Sequence, residues 1–380
     1  MQLRRKSQYR SRAGSNRNRL RLATPAPPAF HISWPKRLPK YGEKSIENLP
    51  SDSLYNHSSM AISVPSFAKI NLGLRIGALR PDGFHELLTV YQTIALHDFV
   101  RVSVGRGAGI EIRCKDPRVP CDSSNTCYKV AERAVEALQV RGRVVIEIDK
   151  RLPVQGGLGG ASGNAVAALM ALERAVKKQL TGPERLRISA EVGSDLPLFL
   201  IGGTILGVGR GEQVYPLSDL PSTPCVVLLP ETAVSTPKAF ADWDQLTSSP
   251  SSDKMLKSSR EISAWLAAAE TSRGSGVSAK GGGRAESPLL DLVRTGIEND
   301  FEKVVFPKHP ELREVKLVLE RSGAQYASLS GSGSAVYGVF SSRENAARAA
   351  KNLTAHGARA RVTATLTRRQ YWNKLLAISS

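Results

Sequence analysis

Four cysteines and six histidines in 380 residues leave little material for metal or disulfide chemistry. Cys114, Cys121, Cys127 and Cys225 form no Cys-x-x-Cys pair and no histidine cluster joins them, so their spacing offers neither a zinc site nor a disulfide framework. A reducing cytoplasm is the matching expectation. Apolar runs fall far short of the roughly 20 residues that span a bilayer, and no apolar signal segment precedes a small-residue cleavage site, so no membrane partner is expected. Two familiar phosphate signatures are also missing. There is no Gly-x-x-x-x-Gly-Lys-Ser/Thr, and Gly-x-Gly-x-x-Gly read from Gly157 and Gly159 breaks at Ser162. No internal repeat is present.

Acidic residues are scarce at one end. Residues 1–60 hold 12 of the Lys/Arg and only Glu43, Glu47 and Asp52, so this sixth of the chain carries about half of the net charge of +19. The segment includes TPAPPAF and has no sustained apolar periodicity, which predicts a disordered tail over 1–59. Because Met60 directly precedes the first patterned stretch, a misassigned start is the first explanation. A plastid-type transit peptide is the second and a nucleic-acid arm a distant third.

After Met60 the pattern changes. Ala68, Ile70, Leu72, Leu74 and Ile76 alternate with Lys69, Asn71, Gly73 and Arg75, the period of a strand, so Lys69 and Asn71 project from one face. RPDGFHE reads as a turn, and LLTVYQTIAL and DFVRVSV as two further strands. Residues 125–140 read as an amphipathic helix capped near Asn125, 143–148 as a strand, and the stretch from Asn164 as a helix with a partial apolar face. Residues 182–190 read as a helix, and TPCVVLLP as a strand opening a second half. Residues 247–289, rich in Ser and Gly, read as an insertion around a short helical patch. Helices, a glycine-interrupted strand pair at 326–340, a further helix and a final strand RARVTATL complete the pattern.

Between the strand at 143–148 and the following helix lie five glycines within LPVQGGLGGASGNAVAAL. Glycines without Cβ atoms expose successive backbone N–H groups, and the helix N-terminus adds unpaired amides and a favourable dipole. The loop therefore reads as a general anion cradle, with Ser162 able to offer a hydroxyl to phosphate or magnesium; a flexible glycine turn is the alternative. Asp195, just ahead of Pro197, reads on its own as a helix N-cap and Lys69 as a strand lysine.

Several collinear segments carry a further signal: FAKINLGL (67–74), RPDGFHEL (80–87), YQTIALHD (91–98), PVQGGLGGASGNA (153–165), VGSDLPLFLIGG (192–203) with GRGE (209–212), NDFEKVV (299–305) and SGAQYASLSGSGSAVYGVF (322–340). In this order they resemble the GHMP kinase superfamily, and within it the branch that transfers the γ-phosphoryl of ATP to the tertiary 2-hydroxyl of a cytidine-diphosphate-linked methylerythritol in the non-mevalonate route to isoprenoids. The homoserine and mevalonate kinases of the same superfamily are the alternative, and a tail-driven nucleic-acid-binding protein is the alternative of another class.

The resemblance implies an α+β, two-domain GHMP-kinase fold. A strand-rich N-terminal domain of the ribosomal protein S5 domain 2-like type would occupy 60–222, and an α/β C-terminal GHMP domain 223–380. It implies Lys69 and Asp195 as catalytic residues, and ATP bound by Pro153, Val154, Gln155, Gly156, Gly157, Leu158, Gly159, Gly160, Ala161, Ser162 and Gly163. Mg²⁺ is expected near Ser162, and Asn71, Phe84 and His85 are expected to bind the substrate. Gly331, Ser332 and Thr236 are expected beside the site. The expected partners are ATP and the small-molecule substrate, with no nucleic acid, the protein being a monomer or homodimer. The loop departs from the family pattern: Gln155 stands for a glycine, Gly157 for an alanine, Ala161 for a glycine and Gly163 for a serine. Phe84 stands where tyrosine is common.

Overall fold

The alternation at 62–79 makes a long strand that is buried on both faces, because the rest of the molecule is assembled around it. The structure is a computed structural model, and it describes residues 61–229, 234–247, 255–264, 298–355 and 359–377. The tail 1–59 and most of the 247–289 insertion lie outside the described residues. Strand β1 (Ile62–Leu79) pairs antiparallel with β2 (His85–Gly105), the two expected strands at 87–104 being one continuous element. β2 then pairs with both β4 (Arg143–Asp149) and β5 (Thr204–Gly209), β4 with the parallel β3 (Ile110–Cys114), and β5 with β6 (Gln213–Pro216). These six strands form the first sheet, in the order β3-β4-β2-β5-β6 with β1 attached to β2.

Helix α1 (Thr126–Ala137) is the crossover between the parallel β3 and β4; Asn125 caps it by accepting from Cys127 N. Helix α2 (Gly160–Val176) starts four residues earlier than its apolar pattern announces and is buried nearly all round from Gly163 to Glu173, which is why that pattern shows only a partial stripe. It lies against β1, β2 and α1. Two shorter helices, α3 (Gly182–Val192), closed by a Thr181–Glu184 capping box, and α4 (Leu196–Phe199), follow it.

The second sheet is antiparallel, in the order β10-β7-β9-β8, from β7 (Pro224–Leu228), β8 (Tyr326–Leu329), β9 (Val336–Val339) and β10 (Ala360–Ala364). Around it lie α5 (Thr236–Leu246), α6 (Glu302–Lys308), α7 (Pro310–Arg321) and α8 (Arg343–Ala355). Residues 255–264, within the expected insertion, are helical and place the buried Ile262 in the core, so this stretch is packed and not loose.

The chain does not remain in its second half. After β10, Leu366 N donates to Thr93 O, and α9 (Arg368–Leu376) returns Tyr371 and Leu375 to the core of the first sheet. No helix among the described residues is long and apolar enough to cross a membrane.

Candidate active site

The glycine loop is tied from behind before it can hold anything in front. Asp98, fully buried at the middle of β2, accepts from the backbone N–H of Arg151 at 2.6 Å and of Leu152 at 2.7 Å, and from Lys150 Nζ at 2.6 Å. The loop's carbonyls are taken as well. Lys69 N donates to Leu158 O, Ala335 N to Gly156 O, Ser330 Oγ to Gly157 O at 3.0 Å, and Thr126 Oγ1 to Ala161 O. Gly159 caps α2 in the left-handed region, and no side chain caps the helix N-terminus. Gln155 also lies in the left-handed region, at φ 59°, a conformation that suits the glycine of the family pattern better than a residue with a Cβ.

Pro153 through Ser162 line a cavity of about 360 Å³, together with Lys150, Asn125, Cys127 and Asn164. Asn164 is buried there with Oδ1 unpartnered, an acceptor facing no protein donor. Burial pushes the Cys127 thiol up to about 12, which rules it out as a nucleophile. Gly163 does not share in this cavity. A Cβ there would sit 2.9 Å from Phe67 O and from Ser66 Oγ, so this glycine lets α2 pack closely on β1.

Gly157, Gly159 and Ser162 also line a second cavity, of about 670 Å³, on the other side of the loop. It contains every other expected residue: Lys69, Asn71, Phe84, His85, Asp195, Thr236, Gly331 and Ser332. Lys69, buried on β1, donates from Nζ to Asn71 Oδ1 at 2.7 Å and lies 3.5 Å from Asp195 Oδ2. Asn71 in turn donates from Nδ2 to Thr89 Oγ1 at 2.8 Å, so its amide orients the lysine as well as lining the cavity. The N-cap alternative for Asp195 fails: its backbone is already helical and its side chain caps nothing.

At the far end of the cavity His85 is buried, with Nδ1 donating to Gly77 O at 3.1 Å and Nε2 at 3.0 Å from Asp244 Oδ1. Its ring stacks parallel to Phe240, centroids 5.2 Å apart. Phe84 is half exposed, with the Arg210 guanidinium 4.9 Å from its ring centroid. Thr236 Oγ1 and Ser332 Oγ are 2.7 Å apart, joining the start of α5 to the second glycine turn. Sequence reasoning did not single out Tyr91, Arg210, Phe240 and Asp244, all of which line the larger cavity. Arg210 lies in the GRGE segment, which was a usable signal; α5 had no pattern strong enough to place Phe240 or Asp244.

Comparison with known proteins identifies the family. Residues 125–203 match the GHMP kinase N-terminal domain and residues 286–359 the GHMP kinase C-terminal domain. A 4-diphosphocytidyl-2-C-methyl-D-erythritol kinase from Solibacter usitatus is 37% identical over 288 residues, covering 76% of this chain and 84% of the relative. A crystal structure of 4-(cytidine 5'-diphospho)-2C-methyl-D-erythritol kinase is similar with a TM-score of 0.61 and 28% identity, covering 80% of this chain and 99% of that one. A homoserine kinase structure from Cytophaga hutchinsonii reaches a TM-score of 0.62 at 20% identity over 83% and 98% of the two chains, a likeness of fold alone. With both GHMP domains matched, and a relative above one-third identity along three-quarters of its length, the chain belongs to the GHMP kinases and, within them, to the 4-diphosphocytidyl-2-C-methyl-D-erythritol kinase family.

Proposed function

We propose that the protein transfers the γ-phosphoryl of ATP to the 2-hydroxyl of 4-diphosphocytidyl-2-C-methyl-D-erythritol, a step toward isoprenoid precursors. The observation that carries this reading is the shared wall. One glycine loop separates a small cavity from a larger one, and Lys69 and Asp195 stand in the larger one at that wall. ATP fits the small cavity with its phosphates on the loop, where glycines leave room for backbone N–H groups to approach oxygen anions.

The alcohol occupies the larger cavity. Phe84 and Phe240 supply flat apolar faces for the cytosine, and His85 with Asp244 a polar edge. At the other end Asp195 accepts the proton of the 2-hydroxyl as its oxygen bonds to the γ-phosphorus and the bond to ADP breaks. Lys69, 3.5 Å from that carboxylate, offsets charge developing between the two substrates. Ser162, which lines both cavities at the loop, is the protein oxygen that would join the ATP phosphates in holding Mg²⁺. When bound, the ion neutralises phosphate charge.

The test is ATP turnover with the cytidine-linked alcohol, homoserine and mevalonate in parallel, repeated with Asp195→Asn. Turnover confined to the cytidine-linked alcohol is expected, with kcat falling about 10²–10⁴-fold in the variant and ATP binding retained. Preference for homoserine or mevalonate would overturn the substrate assignment. Near-normal kcat in Asp195→Asn would overturn the role of the carboxylate.

A further inference from the structure

Asp195 has a second partner besides Lys69. Tyr91, on β2, is almost fully buried and donates from its hydroxyl to Asp195 Oδ1 at 3.2 Å, while Oδ2 faces Lys69 at 3.5 Å. The same ring lies under the lysine, with Nζ 5.6 Å from its centroid. One tyrosine therefore touches both charged groups of the proposed catalytic pair.

Its position is enforced by the surrounding chain. A Cβ on Gly207 would meet Tyr91 Cε2 at 2.5 Å, and one on Gly211 would meet Oη at 2.4 Å. Gly211 is in the left-handed region at φ 95° and belongs to the GRGE segment, beside the Arg210 that lines the cavity. Two bare positions thus make the slot in which the phenol lies, and the slot directs the hydroxyl at the carboxylate. Burial and the neighbouring Asp195 charge push the phenol well above its usual range, so it keeps its proton and remains a donor.

We infer that Tyr91 is a positioning residue for phosphoryl transfer: its hydroxyl holds one oxygen of Asp195 so that the carboxylate presents a single orientation to the attacking alcohol. The inference rests on Asp195 being the proton acceptor. In the step itself the substrate O–H proton passes to Asp195, and Tyr91 neither gains nor loses one.

Tyr91→Phe tests this, because it removes only the hydroxyl and leaves the ring in the core and under Lys69. The expected result is a fall in kcat of about 10-fold, the scale of one hydrogen bond to a charged acceptor, with KM for ATP and for the alcohol and the melting temperature nearly unchanged. In an Asp195→Asn background the same substitution should cost less than about twofold more, since a residue acting through the carboxylate has nothing left to act on. A role in packing alone would not produce that loss of effect. Wild-type kcat in Tyr91→Phe, a loss confined to KM, or a full 10-fold loss on top of Asp195→Asn would each overturn the inference while leaving Asp195 in place. Wild-type kcat in the single Asp195→Asn variant would instead remove the proton-acceptor reading and this inference with it.

Discussion

Gly157 is needed for two independent reasons, and Gly160 for neither. At Gly157 the backbone is left-handed, φ 72°, and a Cβ would lie 2.1 Å from Ser330 O and 2.9 Å from Gly333 O, both rigid main-chain atoms. At Gly160, inside the first turn of α2, no main-chain atom is among the nearest neighbours: the closest is Lys150 Nζ at 3.0 Å, a side-chain end held by Asp98, and the next contacts are ordinary. Gly157→Ala should therefore separate the loop from the Ser330 turn, raising KM for ATP by about 10-fold or more and lowering the melting temperature. Gly160→Ala should stay within about twofold of the wild type. ATP titrations and thermal melts on both variants check this, and equal KM values would show that the loop is not set by its contact with Ser330.

The NDFE segment acts on the site through the second glycine turn. Asn299 donates from Nδ2 to Leu329 O and to Gly331 O, both at 2.8 Å, and accepts from Phe301 N. Glu302, at the start of α6, accepts from Ser328 Oγ at 2.8 Å and Leu329 N at 3.0 Å. These bonds hold the end of β8, and the turn after it holds the glycine loop through Ser330 and Ala335. Asn299→Asp keeps the shape and removes both donors, leaving a carboxylate against two buried carbonyl oxygens. The expected loss is about 2 kcal/mol or more in urea unfolding, accompanied by a higher KM for ATP. An Asp variant that unfolds at the wild-type midpoint would break this chain of contacts.

On the scale of the molecule, the last helix is a structural part of the first core. Tyr371 is buried, donates to Phe199 O at 2.6 Å, and fills the space left by Gly202, where a Cβ would come within 2.2 Å of its ring. Phe199 in turn touches the position of Gly159 in the loop. Tyr371→Ala should destabilise the protein by about 3–5 kcal/mol, the range for emptying a large aromatic site, as measured by equilibrium denaturation. A loss below about 1 kcal/mol would mean that α9 docks without supporting the core.

What the sequence determined by itself is what depends on neighbours a few residues apart. Period-two alternation put Lys69 and Asn71 on one face of β1, and the structure joins them by a hydrogen bond. Asn125 marked the start of α1, and the glycines after β4 marked the entry to α2. Alternation could not show that β1 is covered on both sides, or that the pattern of α2 is faint because it is enclosed, since burial depends on what packs from elsewhere. The motif segments announced Asp195 beside Lys69, but not the hydroxyl that orients it: Tyr91 and Asp195 are 104 residues apart, and nothing local to an apolar strand marks one tyrosine as a donor. Phe240, Asp244 and Asn299 come to the site in the same way. Their chemistry is ordinary along the chain, and only folding brings Phe240 and Asp244 to His85 at the start of β2, and Asn299 to the carbonyls of Leu329 and Gly331.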